Sequence, residues 1–517
     1  IIQNSRDQNV TGRIDMVKLY NKIGFLKSIN SPPRPLPPPD KNKPAKPDTV
    51  KRPPDLKGAK FLLRLLMSVR NVNATYKFTE GTILPGFTQT PRLFGLDDTW
   101  GSPGVGFILG EQDANFAQTA SRNGWLTKNS RLTAPFTQSQ STDLTLRANV
   151  DLSPDFKVQL DASKVSNTSF QEIFRADTTG AFSSLSPSRS GSYKISFMTI
   201  NTAFANNSSI NSDVFKQFEA NIQTIKGRFF DITQRTYQDK SQDVLIPAFI
   251  AAYSGTSATD VNLSPFPKIP IPNWRFTYEG LNKISGIKDV FQSVTLTHGY
   301  RSSYSVVNYS NSLQYGAVNL SNRVEDYNET SFATVPSATT GLLIPVYIIN
   351  QVMINESFQP LVGLNFRTKS KLSFRFEYKT KRDVSLNVSN AQVTEINGKD
   401  WSAEISFTKN NMRMPFKDQG RIITLKNNIT FLLNVSMNNN QTIQRTLPDP
   451  AQQVEGGSTI TNGNINFQFR PNISYVVNQK LTIQMYGDHN TNEPLVTNSF
   501  PRTNTRVGFK ILFNLAP

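Results

Sequence analysis

From about Val72 onward, apolar side chains recur at every second position. Leu144, Leu146, Ala148 and Val150 alternate with polar residues, as do Phe156, Val158 and Leu160. The same period runs through Leu372, Phe374, Phe376 and Tyr378, and through Ile429, Phe431, Leu433, Val435 and Met437. Successive side chains of a strand point to opposite faces, so this period predicts strands with one apolar and one polar face. The last run, Val507, Phe509, Ile511, Phe513 and Leu515, is close to the ~9–11 residues with which a tilted strand crosses a bilayer. Asn397-Gly398 predicts a tight hairpin between Val384–Thr394 and Trp401–Phe407. Asn478-Gln479 predicts a short turn, while Asn438–Thr459 and Gly487–Thr503 read as long polar loops. Short turns alternating with long loops are the connections of an outer-membrane barrel.

The first 60 residues are different. Gly12–Asn30 reads as a short amphipathic helix, with Ile14, Val17, Ile23 and Leu26 between lysines. Ten prolines then fall within Ser31–Gly58. Proline fixes φ and removes a donor, so this stretch reads as an extended basic tether. A second helical signal, with Phe61, Leu62, Leu65 and Leu66, precedes the strands. The expected organisation is a helical segment over 1–30, a tether over 31–58, a short helix over 59–71 and barrel strands with long loops over 72–517.

Alternation alone also fits a water-soluble antiparallel sandwich. Three features favour the membrane. Several strands exceed the usual ~5–6 residues. Aromatics stand near strand ends (Tyr300, Tyr378, Trp401, Phe407, Tyr475, Tyr486), as interfacial girdles require. Arg375, Glu377, Asn434, Gln484 and Lys510 place charge and amides on the other face, which suits a wetted lumen. The predicted fold class is all-β, a transmembrane antiparallel β-barrel with a short helical and Pro-rich N-terminal segment. Counting one strand per ~30–35 residues gives roughly 13–15 strands.

Composition narrows the chemistry. The 517 residues include no Cys and two His, so a thiolate site is excluded and little remains for zinc or haem. Lys and Arg exceed Asp and Glu by 56 to 38, a net charge of +18, and mean hydropathy is −0.39. Asp488-His489 lacks a strand-to-helix nucleophile turn, and Gly104-Val-Gly106 lacks the third glycine of a nucleotide fingerprint. Asp97-Asp98 reads as a loop cap. Neither catalysis nor a cofactor is expected. The aromatics lie in alternating strands and not in a basic patch, so nucleic acid is not an expected partner.

A family resemblance enters at Leu65–Val72, Leu84-Pro85-Gly86-Phe87, Leu93-Phe94-Gly95, Ser102-Pro103-Gly104-Val105-Gly106-Phe107 and Gly110-Glu111-Gln112, with further matches at Val17–Lys22 and Asp383–Gly398. In this order the chain resembles the C-terminal part of the SprA (Sov) family, outer-membrane translocons of the type IX secretion system that are associated with gliding motility in Bacteroidota. The resemblance implies one very large single-chain barrel of which these residues are the last part, an expectation in keeping with a chain that opens on Ile1 without Met. It also implies a channel for folded cargo bearing type IX C-terminal signal domains. Implied partners are the remainder of the barrel, a PorV-type barrel protein, a periplasmic plug protein and outer-membrane lipid. Phe513 is followed by Asn-Leu-Ala-Pro, a departure from barrels that end on an aromatic. Leu84, Pro85, Gly86, Phe87, Pro103, Gly104, Gly106 and Phe107 are candidate pore or gate loops. Arg367, Lys371, Arg375 and Lys379 are a candidate basic lumen stripe. The alternative reading is a self-contained porin or uptake channel of about 14 strands.

Overall fold

The computed structural model describes residues 1–30, 63, 67–205, 208, 211–312, 327–418, 421–448, 456–496 and 499–513. The tether and most of the 59–71 segment lie outside them. Alternating residues pair into fourteen antiparallel strands of one sheet. In chain order these are β1 (Ile2–Asp15), β2 (Val69–Leu84), β3 (Phe136–Ser153), β4 (Phe156–Ala176), β5 (Phe182–Ser196), β6 (Asn273–Tyr278), β7 (Phe291–Asn311), β8 (Tyr347–Thr368), β9 (Leu372–Asn387) and β10 (Gln392–Lys409). A separate hairpin, β11 (Met412–Asp418) and β12 (Arg421–Leu425), precedes β13 (Ile429–Thr446), β14 (Gly457–Val476), β15 (Leu481–Pro494) and β16 (Arg502–Phe513). Neighbours in sequence are neighbours in the sheet, and β1 and β16 stand at its two edges.

The strands are longer than their apolar stretches, and this corrects several expectations. Gly12–Asp15 belong to β1, so the helical signal is confined to Met16–Lys22 and Gly24–Asn30. Asp15 ends the strand by capping the first helix, its carboxylate accepting from the Lys18 amide at 3.0 Å. β2 already begins at Val69. Asn397-Gly398 is no turn: both residues lie inside β10, opposite Arg382 and Lys381, and the hairpin closes over 388–391. Glycine fits there because a Cβ would stand 2.7 Å from Lys381 Cγ and 2.9 Å from Asn440 Oδ1. Most of the two predicted polar loops is also strand, leaving connections over 447–456 and 495–501. Polar residues continue these strands because their backbone pairs with a neighbour already in register. The Asn478-Gln479 turn stands as expected.

β5 and β6 share one position between β4 and β7. The intervening 197–272 leave the sheet as a helical insert. Ser212 caps the long helix Asp213–Thr233 by accepting from the Phe215 amide. Val214, Phe218, Ile222, Ile225 and Phe229 form its buried stripe. The second helix, Gln242–Ser254, is buried on nearly every side and stops at Gly255 in the left-handed conformation. Both pack on Tyr193, Ile195, Tyr304, Val306, Ile354, Val384 and Leu386 of the sheet in one apolar cluster.

Two buried ion pairs lie under this insert. Arg382 meets Glu356 at 2.9 Å across β8 and β9, and Arg445 meets Glu395 at 3.3 Å across β10 and β13. Insert backbone completes both: Arg382 donates to the Thr202 carbonyl at 3.0 Å and Arg445 to the Ser208 carbonyl at 3.0 Å. Thr199 Oγ1 donates to Glu356 at 2.6 Å. The pairs therefore fix where the insert sits on the wall. Arg382→Met leaves Glu356 charged and buried, which should cost about 3–5 kcal/mol and open residues 197–272 to limited proteolysis while the strands stay protected.

Asp243, in the first turn of the second helix, has its carboxyl pushed up to about 6 by burial. A carboxyl raised on folding favours the protonated form. Its stability contribution is fully present below the ordinary carboxylate range and is lost as pH rises through about 6. Asp243→Asn should therefore raise the unfolding midpoint of the insert at pH 7.5. That advantage should vanish below about pH 4, as followed by near-UV circular dichroism.

Candidate membrane belt and polar wall

The register collects the apolar positions of successive strands into rows. Leu372, Phe374, Phe376 and Tyr378 of β9 stand opposite Phe407, Ile405, Ala403 and Trp401 of β10. Those in turn face Phe431, Leu433, Val435 and Met437 of β13. The rows continue through Ile473, Pro471, Phe469 and Phe467 of β14, through Ile483 and Met485 of β15, and through Ile511, Phe509 and Val507 of β16. In the other direction they run through Val362, Leu364 and Phe366 of β8, Leu296 of β7 and Phe276 of β6. They end on Val158 and Leu160 of β4, Ala148 and Leu146 of β3, Tyr76 of β2 and Val10 of β1.

One face of the sheet thus carries a continuous apolar belt, seven to nine residues tall on β9, β13 and β14 and so roughly 24–31 Å along the strand. It is not covered by protein: Val507, Phe509, Ile511 and Phe513 are 61–72% exposed. Aromatic rings mark its borders. Trp274 stacks on Tyr300, with centroids 4.4 Å apart, and Tyr300 meets Phe358 at 5.0 Å. Tyr378 pairs with Trp401 one row further into the belt, and Phe407 lies at the opposite end. Tyr486 departs from the girdle expectation, since the register puts it on the polar face, where its ring lies against Gly508.

The strands outrun the belt. β8 has 22 residues, about 70 Å of strand, and the excess lies at the end away from the β3–β4, β8–β9 and β14–β15 turns. There the helical insert covers the belt-bearing face of β5 and β7–β10. The segment 85–135 covers that of β1–β4, with Leu84, Phe136 and Phe170 packed on Phe107 and Phe116. Asn4 of β1 donates to the Phe107 carbonyl at 2.9 Å, and Thr82 of β2 donates to Gln112 at 2.5 Å.

Leu84 is the last residue of β2, and the other candidate gate residues belong to the cover packed on it. Leu84, Pro85, Pro103 and Phe107 are buried; Gly86, Phe87, Gly104 and Gly106 are half-buried. Gly86 and Gly104 have positive φ, at 75° and 96°. Asp97 caps its loop, accepting from the Thr99, Gly101 and Ser102 amides, and these bonds hold its carboxyl below the usual range despite some desolvation.

The opposite face is polar. Arg375, Glu377 and Lys379 of β9 lie beside Glu404, Ser402 and Asp400 of β10 and Asn434, Ser436 and Asn438 of β13. Arg367 shares this face, while Lys371 sits in the β8–β9 turn with φ of 69°. Glu377 bonds both Arg375 and Lys379 at 2.6 Å, so the basic stripe is interleaved with carboxylate. Asp488 and His489 point to opposite faces: Asp488 pairs with Arg470 at 3.1 Å and His489 Nδ1 meets Thr505 Oγ1 at 2.8 Å.

Sequence reasoning missed the belt rows of β1 and β6, because Val10 was hidden among polar residues and the alternation Trp274-Arg-Phe276-Thr-Tyr278 fills a strand of only six residues, Asn273–Tyr278. It also missed the buried pairs, whose four charged residues look like surface positions until register brings them under the insert.

Among the described residues no helix is long and apolar enough to cross a membrane. The strands do so instead: the fold and its belt define a transmembrane β-barrel wall of the outer-membrane type. Among solved structures the chain is similar to a loop-deletion mutant of OmpT, an outer membrane protein of Vibrio cholerae. Identity is 7% over 73% of this chain and 92% of that one, with a TM-score of 0.18. It is also similar to the ferric-catecholate import receptor Fiu of E. coli K12, at 6% identity over 84% of this chain and 56% of that one, TM-score 0.20. The siderophore receptor PiuA of Acinetobacter baumannii matches at 9% identity over 82% and 54%, TM-score 0.19. The chain spans about half the length of these two receptors. At such TM-scores the folds do not superpose, and the class rests on the belt. No family model matches the sequence, and a search of curated proteins gives no match.

Val435→Arg puts a charge near the middle of the belt. It should cost about 2–4 kcal/mol and lower the yield of heat-resistant protein in outer-membrane fractions, whereas Asn434→Arg on the polar face should leave it unchanged.

Proposed function

We propose that this chain is part of the wall of an outer-membrane protein-conducting channel, the type IX secretion translocon of a Gram-negative bacterium of the Bacteroidota. In this reading it passes folded cargo bearing type IX C-terminal signal domains. The family resemblance supplies the reading. The structural observation that supports it best is the pair of open edges: among the described residues β1 and β16 each pair with one strand only and not with each other. Every backbone group in lipid needs a partner; in this reading further strands supply it at both edges, and each added strand widens the lumen. Folded cargo needs such a width. The polar face then lines the pore, with Arg367, Arg375 and Lys379 as part of its basic stripe. Conduction requires no bond chemistry from these side chains; energy comes from an inner-membrane motor, while a PorV-type barrel and a plug protein act at the lateral and periplasmic openings.

The competing reading is a porin of about 14 strands, favoured by the count of fourteen in the sheet. Cysteines introduced at Asn9 and Asn504 decide between the two, because the chain has no other cysteine. A self-closed barrel brings β1 and β16 together and yields disulfide-linked pairs in some register; this outcome contradicts the translocon. A wider wall keeps them apart, and cells carrying Val435→Arg should then accumulate type IX cargo in the periplasm.

A further inference from the structure

Above the belt, where the insert leaves the wall, lies a cleft of about 580 Å³ on the belt-bearing face. Its lower lip is apolar, lined by Phe358, Leu361 and Tyr378; Tyr378 stands opposite Val362 at the top of the belt, and Phe358 lies one row above, opposite Thr380. Phe204, on the insert, overhangs it; the ring is 68% exposed and meets Phe358 at 5.4 Å between centroids. The back is polar, formed by Thr380, Asn397 and Gln441. Lys399 stands at the same height, next to Thr380 in register, exposed and without an ion pair among the described residues. Arg382 and Glu356 at the upper end neutralise each other. Lys381 also lines the cleft, but its position in the strand turns its side chain to the polar face against Gly398, so the cleft offers the Lys399 cation and several hydrogen-bonding groups directly over an apolar surface that reaches lipid.

From this arrangement we infer that the cleft holds one lipid of the adjoining leaflet, an acylated phosphate whose chains follow the belt below Tyr378 and whose headgroup meets Lys399. Two properties favour a lipid over a second protein. The overhang of Phe204 narrows the surface to a slot, and its polarity changes from apolar to cationic along the membrane normal, as in a lipid itself. An exposed Phe beside an apolar lip has acyl chain as its natural neighbour. The inference rests on the belt facing lipid.

The test uses the full-length protein, delipidated in mild detergent and titrated with dioleoyl phosphatidic acid under native mass spectrometry. One lipid should bind in preference to dioleoyl phosphatidylcholine, and Lys399→Gln should weaken it about tenfold, the worth of one charge-assisted hydrogen bond. Phe204→Ser should weaken phosphatidic acid and phosphatidylcholine alike. Both residues are exposed, so neither change threatens the fold. Equal affinity for the two lipids, indifference to both variants, or displacement by inorganic phosphate would each overturn the site. So would a second membrane protein that co-purifies, blocks lipid uptake and is lost with Phe204→Ser. Quenching of a Val435→Trp variant by lipids brominated on their acyl chains separates the two levels: belt quenched without cleft binding sinks the lipid site alone, and no quenching sinks the membrane reading beneath it.

Discussion

Backbone amides and carbonyls cannot be left unpaired in hydrocarbon, where each costs several kcal/mol. The fourteen-stranded ladder answers that constraint, and much else in the molecule is arranged around it. Alternation follows, because a strand paired on both sides has only its two faces left, one for lipid and one for water. Register follows too: a slip of one residue anywhere between β8 and β16 would turn Phe, Leu and Ile toward water and Arg, Glu and Asn toward lipid. Mean hydropathy stays low because the belt occupies one face over part of each strand.

Beyond the belt the same face has no lipid to cover it, and protein takes lipid's place. The helices of 197–272 and the glycine-rich 85–135 lie on the extended strands, where buried aromatics such as Tyr304, Phe218 and Phe249 form an ordinary packed core. The Glu356–Arg382 and Glu395–Arg445 pairs set the position of that cover and add little net stability of their own. Where the cover stops short of the belt, at Phe204 and Tyr378, an amphipathic cleft remains.

The period of two disclosed the fold class, the polar face and the turn at Asn478, since pattern and function there obey one rule. Strand ends were less legible. Asn438–Asn440 and Asp488–Asn492 look like loop by composition, but they are strand because neighbouring backbone pairs with them. Asn397-Gly398 carries a strong local turn signal that ladder pairing with β9 and β13 overrides. The insert was missed for a different reason: its second helix is apolar from Val244 to Tyr253 and has no period to read, although the stripe of its first helix, Val214, Phe218, Ile222, Ile225 and Phe229, does carry one. Arg382 and Glu356 became recognisable as partners only once register placed them opposite each other.

The central claim is that one face of this wall meets lipid and the other water. Spin labels placed singly at 431 to 438 on β13, in the full-length protein in bilayers, test it through their accessibility to oxygen and to a water-soluble nickel chelate. Oxygen should reach positions 431, 433, 435 and 437, and the chelate 432, 434, 436 and 438, in strict alternation. A flat profile, or oxygen at the even positions, would contradict the account.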